Sequence, residues 1–349
     1  MQPDQAVAPA TPGEADPTAP TPDPTETTNA PTVPDSTETT PTTPPPETVT
    51  VTTNEKLIVR TANVTGRHMD GYKPHGYDKR PYYGTWAERR VALIKDITRT
   101  KVDVMGLQEV DAGTQSDYVR SNLNKHNYVT MDKWTRNINP IYWDKNKFEA
   151  VRGSTFDQND RDGHRGTWVI LNDKATNEDL IFINAHYEAD LTSKGNTDRI
   201  HAAKSVAKLA DDLSNGGEVP VFFTGDVNSD IGNDPYAILR ASKADNGASL
   251  VEAHTQTANR VNDKYNTANM YASYTKNGRT KYQKDHEIID QGWYYKTIKQ
   301  DDGTTLNIRT DKTYNDLPTL VHTKKHGALR SSDHNAQTFY YNIETKKAL

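Results

Sequence analysis

The stretch FFTGDVNSD, residues 222–230, begins with apolar residues typical of a buried strand and ends in polar ones. Gly225 is followed by Asp226, Asn228 and Asp230, which alternate with valine and serine. Asp and Asn favour turns because their side chains hydrogen-bond to the local backbone. A polar turn therefore explains these nine residues as well as a functional site does, and the rest of the chain has to decide.

Five other predicted strands carry an acid, an amide or an imidazole at one end or among apolar neighbours. These residues are Asn63, Glu109, Asn184 with His186, Asp290, and Asp333 with His334. Charged side chains are rarely buried unless they are paired or bind a metal. Each case alone has an ordinary explanation, such as a satisfied histidine or a surface strand end. Six strands with the same feature predict one shared site.

Residues 1–55 differ in composition from the rest of the chain. They hold 13 of the 19 prolines and nine acidic residues, but no lysine, arginine or aromatic residue. Such a segment buries too little apolar surface to offset the entropy of ordering it, so we predict a disordered acidic Pro/Thr-rich spacer. The whole chain has a formal charge of −5, so the remaining 294 residues carry +4. We predict that residues 56–349 form one catalytic domain.

The chain contains no cysteine, which excludes disulfides and thiolate metal ligands. Its sequence has no apolar run long enough to span a membrane, and its N-terminus lacks the features of a signal peptide. A Pro/Thr-rich spacer before a cysteine-free domain favours a secreted or cell-surface bacterial protein whose signal has been removed. A cytoplasmic protein with a flexible tail is the alternative.

The predicted elements indicate an α/β fold. Ala87, Val91, Ile94 and Ile97 recur at helical spacing and predict the buried face of an amphipathic helix. Strands outnumber helices, and the helices lie between pairs or groups of strands. This order predicts two packed, mainly antiparallel sheets with helices outside.

The side chains at the strand ends favour a particular chemistry. Carboxylates and amides without thiols suit Mg²⁺, with Mn²⁺ or Ca²⁺ as alternatives. Histidines beside acids suit proton transfer to and from oxygen. The sequence has no phosphate-binding G-x-x-x-x-G-K-[ST] loop, no G-x-S-x-G nucleophile elbow and no H-E-x-x-H helix. Metal-assisted attack of water on a phosphate ester fits best.

The motifs TANV, DVMGLQEV, INAHYEAD, FFTGDVNSD, IIDQGWY and SSDHN, in this order, resemble the endonuclease/exonuclease/phosphatase superfamily, also called deoxyribonuclease-I-like. The resemblance covers residues 57–345. It implies a four-layer αββα sandwich with the site at one edge of the paired sheets. Two positions depart from the pattern. Thr65 stands where many members carry an acid or arginine, and Ile288 stands where many carry arginine.

The resemblance also implies roles for the site residues. Glu109 holds the metal ion with help from Asn63, and Asp333 lies near it. Asp226 and Asn228 bind and orient the phosphate and the nucleophile. The remaining catalytic residues are His334, which is supported by Asp290, and His186 as a second imidazole. Which histidine serves the leaving oxygen stays open.

Three basic loops flank the motifs, at residues 66–83, 274–286 and 322–330, and the first two are rich in tyrosine. Lysine neutralises phosphates and tyrosine stacks on bases, so the loops favour a monomeric nuclease acting on DNA or RNA, without membrane insertion. The predicted substrate-binding residues are Arg165, Asn184, Lys281, Lys284, Lys324 and Lys325. The alternatives are simply solvated loops, a lipid or sugar phosphodiesterase or phosphomonoesterase of the sphingomyelinase or inositol-phosphatase kind, and a non-catalytic binding module.

Overall fold

The computed structural model describes residues 50–70, 85–131, 139–161, 163–268, 273–274, 280–281, 287–323 and 327–348. These residues belong to one unit, Thr48–Leu349. Most of the predicted spacer, residues 1–49, lies outside the described residues.

The described residues form strands and four α-helices. The strands are β1 (Thr50–Asn63), β2 (Val104–Gln108), β3 (Tyr128–Val129), β4 (Ile141–Asp144), β5 (Phe148–Asp157), β6 (Arg165–Asp173), β7 (Asp179–His186), β8 (Val221–Asp226), β9 (Leu250–Glu252), β10 (Arg260–Val261), β11 (Ser273–Tyr274), β12 (Thr280–Lys281), β13 (Asp290–Tyr295), β14 (Thr297–Lys299), β15 (Thr305–Asp316), β16 (Leu320–Thr323), β17 (Gly327–Arg330) and β18 (Ala336–Ala348). The helices are α1 (Trp86–Thr98), α2 (Thr114–Asn124), α3 (Ser193–Leu213) and α4 (Asp234–Ala241). None of these helices is long and apolar enough to cross a membrane.

Within the described residues, two large sheets hold most of the strands. The first follows the order β10-β15-β18-β1-β2-β4-β3, with β14 paired to β15. The second follows the order β5-β6-β7-β8-β13-β9. Most neighbours are antiparallel, while β1 with β2, β7 with β8, and β10 with β15 are parallel. The prediction of two mainly antiparallel sheets is confirmed.

Side chains along β1 and β2 alternate between the two faces of the first sheet, and each face packs into a different apolar cluster. Leu57, Val59 and Val104 belong to the core between the two sheets. Met105 and Leu107 belong to a second apolar cluster, which includes side chains of α1 and α2. Because successive strand residues point to opposite faces, the first sheet has an apolar surface on both sides. Helix α3 packs against β7 and α4, and α4 packs against β9, so the layers are αββα as predicted.

The buried face of α1 differs from the predicted one. The helix begins after Thr85, which forms a capping box with Glu88. Ile94 and Ile97 are buried as predicted, but Val91 is 66% exposed. Trp86, Arg89 and Leu93 occupy the buried face with the two isoleucines. The prediction was wrong at Ala87 and Val91 because the large tryptophan and a buried arginine rotate the contact surface around the helix.

Strand β1 begins before the predicted domain boundary. Its residues 50–56 pair in antiparallel register with residues 342–348 of β18. The boundary placed between residues 55 and 56 therefore falls inside a strand, and residues 50–55 are part of the folded unit. Composition suggested a spacer here because the segment is polar and exposed.

We expect a chain that starts at Leu57 to be less stable than one that starts at Thr48, since it lacks seven ladder residues of β1. Each kcal/mol of lost stability should lower the Tm by about 2–4 °C in a domain of this size. Catalytic rates of the two chains should agree, because the deleted residues lie at the opposite end of β1 from Asn63. Thermal melting followed by circular dichroism measures the difference, and equal Tm values would contradict the prediction.

Candidate active site

The second sheet brings three of the predicted residues together on one side, where two of its strands end and a third begins. His186 ends β7 and Asp226 ends β8, and these two strands are parallel with His186 opposite Asp226. Strand β13 runs the other way and begins at Asp290, which is also opposite Asp226. Parallel strands end on the same side of a sheet, and an antiparallel neighbour begins there. Sheet topology alone therefore places the three side chains together.

The first sheet ends at the same place. Asn63 ends β1 and pairs with Gln108 at the end of β2, so Glu109 directly follows the sheet. Strand β18 is antiparallel to β1, and Asp333 and His334 lie just before its first residue. The two packed sheets thus present their polar ends side by side.

Asp226 lies at the centre of the cluster and is 1% exposed. Its Oδ2 atom is 3.6 Å from Nε2 of His186 and 3.6 Å from Nε2 of His334. The same oxygen accepts a hydrogen bond of 3.0 Å from Nδ2 of Asn63. One carboxylate oxygen therefore faces both imidazoles and the end of the first sheet.

His334 and Asp290 form a buried hydrogen-bonded pair, with 2.8 Å between Nδ1 and Oδ2. Burial alone would lower the pKa of His334, but the carboxylates of Asp290 and Asp226 raise it well above its ordinary value. Ligand atoms of Asp226, Asp290 and His334 all lie within 4.8 Å of one another. Because the imidazole proton already joins Nδ1 to Asp290, this group suits proton handling better than metal binding.

Asn228 fixes the orientation of His186. Its Nδ2 atom donates 2.9 Å to the carbonyl of Tyr187 and lies 3.0 Å from Nε2 of His186. The carbonyl accepts only from an N–H group, so the amide orientation is set and Nε2 of His186 is the acceptor. The ring proton is then on Nδ1. Asn228 has a φ of 45°, a left-handed conformation that asparagine tolerates.

Hydrogen bonds from Asn63, at the end of β1, and from Gly66, in the loop after β1, hold the carboxylate of Glu109. Its Oε1 atom accepts 2.8 Å from Nδ2 of Asn63, and its Oε2 atom accepts 2.7 Å from the backbone N–H of Gly66. The residue itself has a φ of 58°. Nδ2 of Asn63 therefore bridges the carboxylates of Glu109 and Asp226. The Glu109 side chain keeps 17% of its surface exposed, so one carboxylate of the cluster faces outward.

Thr65 connects the loop after β1 to the loop before β18. Its backbone N–H donates 2.9 Å to Oδ1 of Asn63, and its hydroxyl donates to Oδ1 of Asp333. Ser332 donates 2.7 Å to the carbonyl of Asn63. Thr65 is 1% exposed. The threonine that departs from the superfamily pattern thus points into the protein and links two site residues.

The residues present fit a hard divalent cation. Glu109, Asp226 and Asp333 are joined through Asn63 and Thr65 by shared hydrogen bonds. Carboxylate and amide oxygens are the preferred ligands of Mg²⁺ and Ca²⁺. Gathering several carboxylates at low exposure is costly unless a cation compensates their charge. The predicted ligands Asn63, Glu109 and Asp333 thus belong to one hydrogen-bonded network.

A histidine and an arginine near the cluster were missed by sequence reasoning. Nε2 of His68 lies 3.8 Å from Oε2 of Glu109, and the His68 side chain is 60% exposed. Arg89 of α1 is 1% exposed and donates 2.6 Å to the carbonyl of Val64. The signal for Arg89 was an arginine three residues after Trp86 and four before Leu93, on the apolar face of the helix.

Arg165 is the first residue of β6 and is exposed. It pairs with Asp157 of β5. On the other side of β6, the pairing with β7 ends where Thr167 is opposite Asn184, two residues from Arg165. A contact between Arg165 and a substrate stays a prediction.

The prediction for Asn184 is corrected by the structure. Its side chain is fully buried, with Nδ2 donating 2.8 Å to the carbonyl of Leu107 and Oδ1 accepting 2.6 Å from Nε2 of Gln108. A Cβ atom on Gly106 would collide with this amide, so glycine allows the sheets to approach here. Asn184 joins the two sheets and has no exposed surface for a substrate.

The four predicted lysines cannot be placed relative to the site. Lys281 ends β12, whose side chains are not described. Lys284, Lys324 and Lys325 lie outside the described residues.

Comparison with known proteins places the fold. No protein-family model and no curated protein matches the chain. Solved structures do match. An endonuclease/exonuclease/phosphatase protein from Bacteroides vulgatus is 17% identical, with 82% of this chain and 98% of that one covered and a TM-score of 0.59. A mannosyl-6-phosphatase from Bacteroides thetaiotaomicron is 16% identical, with 83% and 99% covered and a TM-score of 0.59.

TDP2 from D. rerio, solved with a single-strand DNA product, is 13% identical, with 82% of this chain and 98% of that chain covered and a TM-score of 0.55. The chain therefore has the α/β sandwich fold of the endonuclease/exonuclease/phosphatase superfamily. The resemblance read from the six sequence motifs is confirmed at the level of fold.

Proposed function

We propose that the protein is a metal-dependent hydrolase of phosphate esters that cleaves nucleic-acid phosphodiesters with water. One observation carries this proposal: the Nε2 atoms of two imidazoles lie 3.6 Å from the same oxygen of Asp226. A carboxylate between two imidazoles offers proton acceptors and donors around one point, as hydrolysis of an ester requires.

Glu109, Asn63 and Asp333 are the residues that would hold Mg²⁺, or Mn²⁺ or Ca²⁺ in its place. A bound cation supplies Lewis acidity toward the phosphoryl oxygens. Glu109 is suited to this task because its carboxylate is the more exposed one and its two oxygens are fixed by Asn63 and Gly66.

The other side chains have complementary roles in this proposal. Asp226 and Asn228 orient the attacking water and the phosphate. His334, a buried imidazolium paired with Asp290, stabilises negative charge that develops on phosphate oxygens. The Nε2 atom of His186 accepts a hydrogen bond from Asn228, and the imidazole takes up a proton at that atom when this hydrogen bond opens. The different partners of the two histidines support this division of roles.

Nucleic acid is the favoured substrate because the segments that flank the site motifs are basic, and two of them are rich in tyrosine. Exposed Arg165, at the start of β6, adds a cation that can contact a backbone phosphate. The bound product in the TDP2 structure is single-strand DNA, so this fold accommodates a nucleic-acid strand in that protein.

Neutralising Lys281, Lys284, Lys324 and Lys325 together should weaken DNA binding and flatten its salt dependence. For every phosphate that a lysine no longer neutralises, the slope of log K against log salt should fall by about 0.9 on duplex DNA. Binding is measured by fluorescence anisotropy between low and moderate salt. Hydrolysis of a small phosphodiester serves as the control and should stay unchanged, whereas an unchanged DNA slope would favour a lipid or sugar substrate.

A sugar phosphomonoester is the second candidate substrate. The mannosyl-6-phosphatase shares the fold at the same TM-score as the B. vulgatus protein. Assays with Mg²⁺ on plasmid DNA, RNA, sphingomyelin and mannose 6-phosphate decide between the classes. Cleavage of DNA or RNA alone supports the nuclease, and turnover of mannose 6-phosphate alone would replace it with a phosphatase.

The spacer and the location of the protein belong to the same proposal. An acidic Pro/Thr-rich segment ahead of a cysteine-free catalytic unit favours export to the cell surface or the medium. We propose that the enzyme acts there as a monomer. Fractionation of cells and medium, with sedimentation of the purified protein, tests both statements.

A further inference from the structure

Arg89 of α1 reaches beneath the site and contacts the backbone of two loops. Its Nη1 atom donates 2.6 Å to the carbonyl of Val64 and 3.4 Å to that of Ser331. Its Nη2 atom donates to the carbonyls of Thr65 and, at 3.4 Å, of Gly66. The guanidinium also lies 5.3 Å from the ring of Trp86. One buried side chain thus holds the loop after β1 and the loop before β18.

The segment that Arg89 contacts carries groups that fix the predicted metal ligands. The N–H of Gly66 holds Glu109, and the N–H of Thr65 holds Oδ1 of Asn63. The hydroxyl of Thr65 holds Asp333. Thr65 has a φ of 57°, an unfavourable conformation for a β-branched residue that needs support from its surroundings. The guanidinium binds the carbonyls of this same short segment and so supplies that support.

We propose that Arg89 is a positioning residue for the metal site: its guanidinium fixes the Val64–Gly66 backbone so that Asn63, Glu109 and Asp333 converge on one cation. This inference rests on the proposed metal-dependent function. It adds a residue that touches neither metal nor substrate and acts through the backbone of its neighbours. A guanidinium suits the task because its planar fork of five N–H groups can bind several carbonyls at once.

A purely electrostatic role for Arg89 makes the opposite prediction. A fixed positive charge near carboxylates competes with a metal ion, so removing it should strengthen metal binding. The contacts favour the positioning role, because the guanidinium bonds to backbone carbonyls. Its ion-pair partner, Oδ1 of Asp70, is 3.9 Å away. The sign of the change in Mn²⁺ affinity in Arg89→Ala, which removes the charge, therefore separates the two roles.

The test is Arg89→Lys, which keeps the charge but loses the fork. Mn²⁺ binding to the full chain is measured by isothermal titration calorimetry, and kcat is measured on a small phosphodiester. We expect the Kd for Mn²⁺ to rise about 10- to 100-fold, the usual effect of losing a residue that orients metal ligands. In Arg89→Ala, added guanidinium chloride at low concentration should recover part of the Mn²⁺ affinity, because it can refill the cavity.

Arg60→Lys is the matched control. Arg60 is also fully buried, lies on β1, and donates 2.6 Å to the carbonyl of Ile97 in α1. Its other partners are Asp316 and Thr338, away from the metal ligands. This variant should have a lower Tm but an unchanged Kd for Mn²⁺. A destabilised fold alone would move both variants alike.

Two outcomes overturn the inference. Native Mn²⁺ binding by Arg89→Lys, or tighter Mn²⁺ binding by Arg89→Ala without added guanidinium, would show that the hydrogen bonds of the guanidinium do not position the metal ligands. Equal weakening in Arg60→Lys would show that the effect is general destabilisation. Failure of the proposed function is distinct, because the native chain itself would then neither bind Mn²⁺ nor hydrolyse a phosphate ester.

Discussion

Glu109→Gln should abolish measurable phosphate-ester hydrolysis while the protein stays folded. A neutral amide binds a hard cation far more weakly than a carboxylate does. In the structure, both oxygens of Glu109 accept hydrogen bonds, from Asn63 and from Gly66. A glutamine replaces one carboxylate oxygen by an NH₂ group, and this group would face the N–H donor of Asn63 or of Gly66. The substitution therefore weakens both the metal ligand and its support.

The expected loss in kcat/KM is about a thousandfold or more. Lewis-acid stabilisation is worth several kcal/mol, and each 1.36 kcal/mol is a factor of ten in rate. Hydrolysis of bis-p-nitrophenyl phosphate across a range of Mg²⁺ concentrations measures the effect. Glu188→Gln is the control, because Glu188 lies on the loop after His186, where its carboxylate accepts the N–H of Asp190. Native rates in Glu109→Gln at ordinary Mg²⁺ would rule out a ligand role.

The site residues at strand ends were predictable because the topology of a sheet determines which strand ends lie side by side. An apolar run that ends in Asp226 or His186 marks a strand whose last side chain sits at the sheet edge. Two parallel strands must end on one side, so reading the runs was enough to group these residues with Asp290. The αββα layers followed from the same runs, since each apolar strand needs a covered face.

The residues that were missed or misplaced depend on contacts between distant parts of the chain. Asn184 and His186 lie two residues apart near the end of β7, so the sequence gives them the same setting and the same face of the strand. In the structure Asn184 is buried, whereas His186 is partly exposed. Only the close approach of the two sheets at Gly106 shows that the amide of Asn184 forms its hydrogen bonds with Gln108 and with the carbonyl of Leu107. No local pattern in the sequence reports that distance.

Arg89 and Thr65 show the same limit in another form. Arg89 donates to backbone carbonyls and Thr65 donates through its own backbone N–H, and hydrogen bonds of backbone groups leave no signature in residue spacing. The left-handed conformation of Thr65 also goes against residue preference, so propensity argues for an ordinary loop there. Exceptions to local conformational preference are expected where a functional site needs a strained backbone.

Asp290→Asn is the second substitution with a large expected effect. Asp290 is fully buried, and its Oδ2 atom is 2.8 Å from Nδ1 of His334. An asparagine oxygen can still accept this hydrogen bond, but it no longer supplies the negative charge that stabilises the imidazolium. We expect kcat to fall by about 10³- to 10⁴-fold, the size of effect found where a buried aspartate orients a catalytic histidine.

The pH profile should move in a defined direction. Asp290 and Asp226 raise the pKa of His334 well above 6.5 against the opposing effect of burial. A raised folded pKa stabilises the native state fully below the unfolded value, and this stabilisation is lost as the pH rises through the folded value. Removing the Asp290 charge lowers the pKa of His334. The alkaline limb of activity, and the loss of this part of the stability, should both shift to lower pH.

Rates and Tm values measured from acid to alkaline pH test this shift, with Asp316→Asn as the matched control. Asp316 is also a buried aspartate, but its partner is Arg60, 2.9 Å away. That variant should lose stability and keep the native pH profile. If Asp290→Asn keeps its full rate with an unmoved alkaline limb, Asp290 is a structural strand residue. The charge on His334 would then have no part in the reaction, since its nearest carboxylate could be removed without consequence.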